Sequence, residues 1–309
     1  MINKFKRLLA IFGYIKDADI KIIKNKNDYK IIKADKVIII DKKHKIYLFD
    51  FVKNFDYFFS AIEPEYDNGT YIADYKSFKA HKIKGYDLHK VIFPSMPEPI
   101  DTTFQYIDFA NLDENSVVID LGAYSGLTSI LFDREISKNN KNAKGKVIAV
   151  EADTINLSCL IQNIQEYKLK TERNIEYLFS AVSDKDGEAW FLIEGSMGAS
   201  LNYKLDYKNL FRNTIKCKIP TITLSSIAKR FNLEKVDFIK CDIEGGEKDI
   251  FNDKEFFKNY SPKIIVEVHN IRCIPTTNKV IESLKPYNYD FKFIKQIGVD
   301  LPLIECVRK

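Results

Sequence analysis

Several apolar runs in this 309-residue sequence carry acidic side chains at their ends, and glycines follow two of those ends. IDLGAYSG, residues 119–126, closes one run with Asp120 and sets Gly122 and Gly126 ahead of a helical pattern. Gly122 permits a tight turn and bare-backbone approach by a ligand, and Gly126 lets the next helix start against it. The spacing is that of a nucleotide-cofactor loop but lacks the third glycine of the dinucleotide fingerprint. Asp120 would also repel a pyrophosphate held at a helix N-terminus. A cationic ligand with an amino group suits it better. In KVIAVEAD, Glu151 ends the next run and can accept hydrogen bonds from both hydroxyls of a ribose. Ser180–Asp184 (SAVSD) ends a third run, where it can touch an adenine edge.

KCDIEGGE, residues 240–247, gathers Asp242, Glu244 and Glu247 just past a fourth run. Three carboxylates so close are costly unless something positive or hydrogen-bonding joins them. In IIVEVHN, strand alternation puts Glu267 and His269 on one face at the mouth of the same cleft. A neutral imidazole beside Asp242 could take a proton from a hydroxyl near pH 7, whereas His44, His81 and His89 read as structural. Asp242, Glu267 and His269 could instead hold a divalent ion that acidifies a hydroxyl. The spacing is not diagnostic of one, so no metal ligand is assigned.

The elements that must position these groups alternate regularly. Helical patterns cover Asp101–Leu112, Gly126–Ile136, Asp153–Tyr167, Gly246–Phe251 and Thr277–Leu284, with a further helix closing Ile219–Phe231. Strand patterns cover Ser116–Leu121, Lys146–Glu151, Ile175–Val182, Glu188–Ile193, Val236–Asp242 and Lys263–His269, and Asp290–Ile294 pairs with Leu303–Val307. Such alternation predicts an α/β protein with a doubly wound, mostly parallel sheet covered on both faces, and ligands beyond the carboxyl ends of its strands. Before it, Tyr29–Ile32, Lys36–Ile40 and Lys45–Phe49 suggest a small meander, and Phe51–Ile62 a helix. The prolines Pro94, Pro97 and Pro99 mark a boundary, giving a mixed α/β region over 1–97 and a main domain over 98–309.

Composition narrows the classes. With 45% hydrophobic and 29% charged residues the chain is globular, not disordered, collagenous or membrane-embedded. Cys159, Cys217, Cys241, Cys273 and Cys306 form no CxxC pair and are odd in number, which points to a reducing compartment and a cytoplasmic location. Lys4, Lys6 and Arg7 precede a short apolar run that meets Lys16 and Asp17, so MINKFKRLLAIFGYIKDADIK reads as an amphipathic helix rather than a signal or transmembrane segment. Residues 1–100 hold 19 Lys/Arg against 13 Asp/Glu, and residues 101–309 hold 29 against 30. The first third therefore carries the whole surplus, suited to a solvated face or an anionic small molecule rather than nucleic acid.

Taken together, VVIDLGAYSG, VIAVEAD, AVSDKDGEAWF and VDFIKCDIEGGEKDIF followed by PKIIVEVH resemble the FkbM family of class I S-adenosylmethionine-dependent methyltransferases over about residues 98–270. The resemblance implies a Rossmann-like seven-stranded sheet and S-adenosyl-L-methionine as cofactor. By it, Asp120, Gly122 and Gly126 hold the methionine part, Glu151 the ribose, and Ser180 and Ala181 lie near the adenine, with Ala123, Tyr124 and Ala152 also at the cofactor. Asp242 would lie beside the sulfonium. Tyr124 stands where the family usually has Asn, and Leu224-Ser225 where it often has Leu-Asp. Family members mostly methylate oxygen, so an O-methyltransferase acting on a sugar or sugar-nucleotide is expected. His269 would be the base, oriented by Glu267 or Glu244. A secondary-metabolite acceptor, a non-catalytic cofactor-binding protein and a nicotinamide dehydrogenase are the alternatives. An amino- or nucleic-acid methyltransferase fits poorly, because Asp242-Ile243-Glu244-Gly245 offers no aromatic to stack a flipped base. The expected partner is a small molecule, with homo-oligomerisation open.

Overall fold

The computed structural model describes residues 20–96, 100–196, 215–271, 274–297 and 302–309. The expected N-terminal helix therefore lies almost wholly outside the described residues, as do Cys273 and the boundary at residue 97. Ile20 and Lys21, counted in that helix, open a strand instead.

The N-terminal part is a five-stranded sheet with two short helices. Strands β1 (Ile20–Lys24), β2 (Asp28–Lys33) and β3 (Lys36–Asp41) form an antiparallel meander. The third run expected there, Lys45–Phe49, is helical: a 3-10 turn over Lys42–Tyr47 leads into α1 (Leu48–Lys53) and α2 (Phe55–Phe59). The reason is spacing, because Phe51, Phe55, Phe58 and Phe59 recur three and four apart and all are buried. A hairpin of β4 (Glu65–Asp67) and β5 (Thr70–Tyr75), turned at Asn68-Gly69 with both φ positive, completes the sheet, and β5 lies parallel to β3.

The main domain begins with α3 (Ile100–Ala110), β6 (Val117–Leu121), α4 (Leu127–Ser137), β7 (Lys146–Glu151) and α5 (Thr154–Thr171). Asp153 caps α5 by accepting from the Ile155 and Asn156 amides. The third strand breaks at Ser180. Its first half, β8 (Glu176–Phe179), stays in the main sheet; β9 (Ala181–Val182) leaves to join β10 (Gly187–Ile193) and β11 (Ile215–Ile222). Then follow α6 (Leu224–Arg230), β12 (Phe238–Cys241), the single turn α7 (Glu247–Ile250), α8 (Lys254–Asn259), β13 (Lys263–Glu267), α9 (Thr277–Leu284), β14 (Tyr289–Lys295) and β15 (Pro302–Arg308).

The seven strands lie in the order β8-β7-β6-β12-β13-β15-β14. The first five are parallel, and β15 and β14 close the edge antiparallel. The central strands are apolar throughout because both faces are covered. Val118, Ala149, Phe238 and Ile265 pack into one layer, and Ile119, Ile148, Ile239 and Ile264 into the other. The first layer is continuous with Ile31, Ile38, Phe51 and Tyr75, so the N-terminal sheet shares a core with α3, α4 and α5. Winding reverses between β6 and β12. Their carboxyl ends therefore open the crevice where doubly wound sheets bind ligands.

Candidate active site

The glycine loop is shaped by its neighbours. The Gly122 and Ala123 amides donate to the Val150 carbonyl at 3.0 and 3.1 Å, tying the loop to β7. Gly122 has φ +73°, and a Cβ there would lie 1.8 Å from the Asp242 carbonyl oxygen. Its glycine is thus required by the close passage of the chain after β12. Gly126 starts α4 at φ +80°, where a Cβ would press on Leu160 of α5. Tyr124 reaches the N-terminal part: its hydroxyl donates to the Met96 carbonyl at 2.9 Å and meets the Ser95 hydroxyl at 2.7 Å. A shorter Asn could not span that distance.

Beside the loop, at the carboxyl ends of the central strands, lies an open cleft. Of the residues expected at the cofactor, Gly122, Tyr124, Glu151, Ala152, Ser180, Ala181 and Asp242 line it. Asp120, Ala123 and Gly126 are not part of its lining. Glu151 is buried, accepting from the Tyr124 amide on one oxygen and from the Ala152 and Asp153 amides on the other. Burial pushes its carboxyl up to about 7 against the pull of those amides. The Ser180 hydroxyl donates to the Pro220 carbonyl at 3.0 Å.

Sequence reasoning passed over Lys240. Its side chain is 2% exposed and its ammonium donates to the Gly122 carbonyl at 2.8 Å. The same ammonium lies 3.4 Å from Asp120 and 3.6 Å from Asp242. Asp120, which also accepts from Ser129 at 2.6 Å, is therefore neutralised from within the protein and does not face the cleft. The signal was a lysine inside an apolar strand, which must have carboxylate partners.

At the other end of the cleft the carboxylates converge on His269, which is 7% exposed. Its Nε2 lies 3.5 Å from Asp242, 3.6 Å from Glu244 and 3.6 Å from Glu267. Nδ1 lies 3.2 Å from Glu247, which also accepts from the His269, Thr276 and Gly245 N–H and O–H groups. Glu247, rather than Glu267 or Glu244, is thus hydrogen-bonded to the ring. Gln296 donates to Glu267 at 2.8 Å. Burial alone would push the imidazole down, but Glu244, Glu247 and Asp242 outweigh it and hold His269 well above 6.5. The surrounding carboxylates thus favour the protonated ring over the neutral base expected. Ligand-type atoms of Asp242, Glu244 and His269 come within 4.8 Å of one another, so Glu244 replaces Glu267 in the divalent-ion set raised from sequence.

Residues 120–292, more than half of the chain, match the methyltransferase FkbM domain. The chain belongs to the FkbM methyltransferase family. It is an S-adenosylmethionine-dependent methyltransferase. No curated protein sequence matches it. Similar solved structures include an FkbM methyltransferase from Methylobacillus flagellatus, 16% identical, with 66% of this chain and 50% of that one covered and a TM-score of 0.40. Others are a precorrin-6y C5,15-methyltransferase from Geobacter metallireducens (14% identity, 68% and 88% covered, TM-score 0.41) and an O-methyltransferase from Bacillus cereus in complex with SAH (14%, 69% and 82%, 0.42). Among the described residues of this FkbM protein, no helix is long and apolar enough to cross a membrane.

Proposed function

We propose that this protein methylates a hydroxyl of a sugar or sugar-nucleotide. The observation that carries the reading is the convergence of Asp242, Glu244, Glu247 and Glu267 on His269 at the end of the cofactor cleft. S-adenosylmethionine, when bound, supplies a methyl group on a sulfonium sulfur. Glu151, buried and within the cleft, would hold the ribose; Asp242, only partly neutralised by Lys240, would favour the positive sulfur. Methyl transfer is an in-line displacement, so the remaining task is to orient a hydroxyl and relieve it of its proton. The His269 ring lies against Asp242 and Glu244, at 3.5 and 3.6 Å. Glu244, whose side chain is 30% exposed and lines the cleft, is the carboxylate open to an incoming hydroxyl. The hydroxyl proton passes to that carboxylate oxygen as the methyl group leaves the sulfonium, and His269, behind it, orients the carboxylate, so His269 serves as partner to the base.

Clustered carboxylates accept hydrogen bonds from a polyhydroxylated acceptor and repel a phosphodiester backbone. The basic surplus of residues 1–100 suits the phosphates of a nucleotide-sugar. Residues 1–97 would accordingly select the acceptor or make subunit contacts, and no metal is required. Incubation with labelled S-adenosylmethionine and a panel of nucleotide-sugars should give a mass gain of one methyl, undiminished by EDTA. Methylation of polyketide or phenolic hydroxyls alone would overturn the sugar assignment.

A further inference from the structure

The cleft contains a buried acceptor that neither the motifs nor the fold employs. Asn156 stands in the first turn of α5 and is 3% exposed. Its Nδ2 donates to the Ser196 carbonyl at 3.1 Å, which fixes the amide's orientation. Oδ1 is left buried without a hydrogen-bond donor, a costly state for an amide oxygen. Ser196 is itself held, since the Tyr47 hydroxyl donates to its Oγ at 2.9 Å from the N-terminal part.

Asn156 lines the cleft together with Ala152, Val182 and Phe191. Apolar walls of that kind suit a flat purine, and a lone acceptor on them suits an amino group at its edge. We propose that Asn156 Oδ1 accepts a hydrogen bond from the 6-amino group of the cofactor's adenine and makes the site selective for adenine over 6-oxopurines. A 6-oxopurine would set a carbonyl against the amide oxygen. The assignment rests on S-adenosylmethionine being the cofactor. Tyr47 acts through Ser196 as a positioning residue.

The test is calorimetry on the full chain with S-adenosylhomocysteine and S-inosylhomocysteine, which differ at C6 of the purine and in the proton its N1 then carries. The native protein should bind the adenosine compound about tenfold or more tightly. In Asn156→Ala the ratio should fall to about one. Asn156→Gln keeps an amide but displaces its oxygen, and its ratio should fall too, which serves if alanine loosens α5. Equal native affinities, or a preference that survives in the variants, overturn the proposal. A native protein that binds neither compound overturns the cofactor assignment instead.

Discussion

The Lys240 ammonium lies 3.4 Å from the Asp120 carboxylate, both closed off from solvent between β6 and β12. Removing one member of such a pair strands the other's charge. Lys240→Met should therefore destabilise the protein by about 3–5 kcal/mol in urea unfolding. Pairing it with Asp120→Asn should recover much of that loss. A Lys240→Met protein as stable as the native one would mean the pair carries no such role.

His269 separates binding from turnover. It is absent from the cleft's lining, yet its ring faces Asp242 and Glu244, which are part of that lining. His269→Ala should keep cofactor affinity by calorimetry and lower kcat about 10²-fold or more. Unchanged turnover would remove the carboxylate–imidazolium group from the reaction.

The same ring sets a pH signature. Its folded pKa is raised above the ordinary 6.5, so its stabilisation is complete below that pH and is lost as pH rises through the folded value. Glu151 also costs stability as pH rises from 4.5 to about 7, since its carboxyl is held at about 7 instead of 4.5. Comparing native protein with His269→Gln cancels that shared part. The native advantage in Tm should shrink as pH rises above 6.5; an advantage that grows there would reverse the assigned charge.

Glu151 makes its own prediction. Hydroxyl donors favour the ionised carboxylate, so ligand binding should expel its proton. Affinity for S-adenosylhomocysteine should rise as pH passes upward through about 7, by about tenfold per unit at most. Glu151→Gln should bind more weakly and show a flat profile in calorimetry across the same range.

Much of this was legible because parallel strands write themselves as apolar runs ending in polar residues. Lys146–Glu151 and Thr277–Leu284 lie where their patterns put them, and the carboxylates at the strand ends do meet. What failed depends on distant partners. Nothing local says that the strand through Ser180 must split, because β9 pairs with β11, far along the chain. Lys45–Phe49 looked extended only because its window was too short to show the periodicity of the phenylalanines beyond it. Glu247 was visible as a carboxylate, but its grip on His269 requires the turn at Thr276 to close over both. Asn156 reads as an ordinary helical residue until Ser196 claims its amino group.

The tie from the Tyr124 hydroxyl to Ser95 and Met96 joins the ligand loop to the chain that leads back to the N-terminal sheet. Linkage of this sort works in both directions. Whatever steadies the loop by filling the cleft steadies that upstream segment by the same free energy, and anything that grips the segment retunes the cleft in return. A loaded enzyme should accordingly resist proteases at a place its ligand never touches.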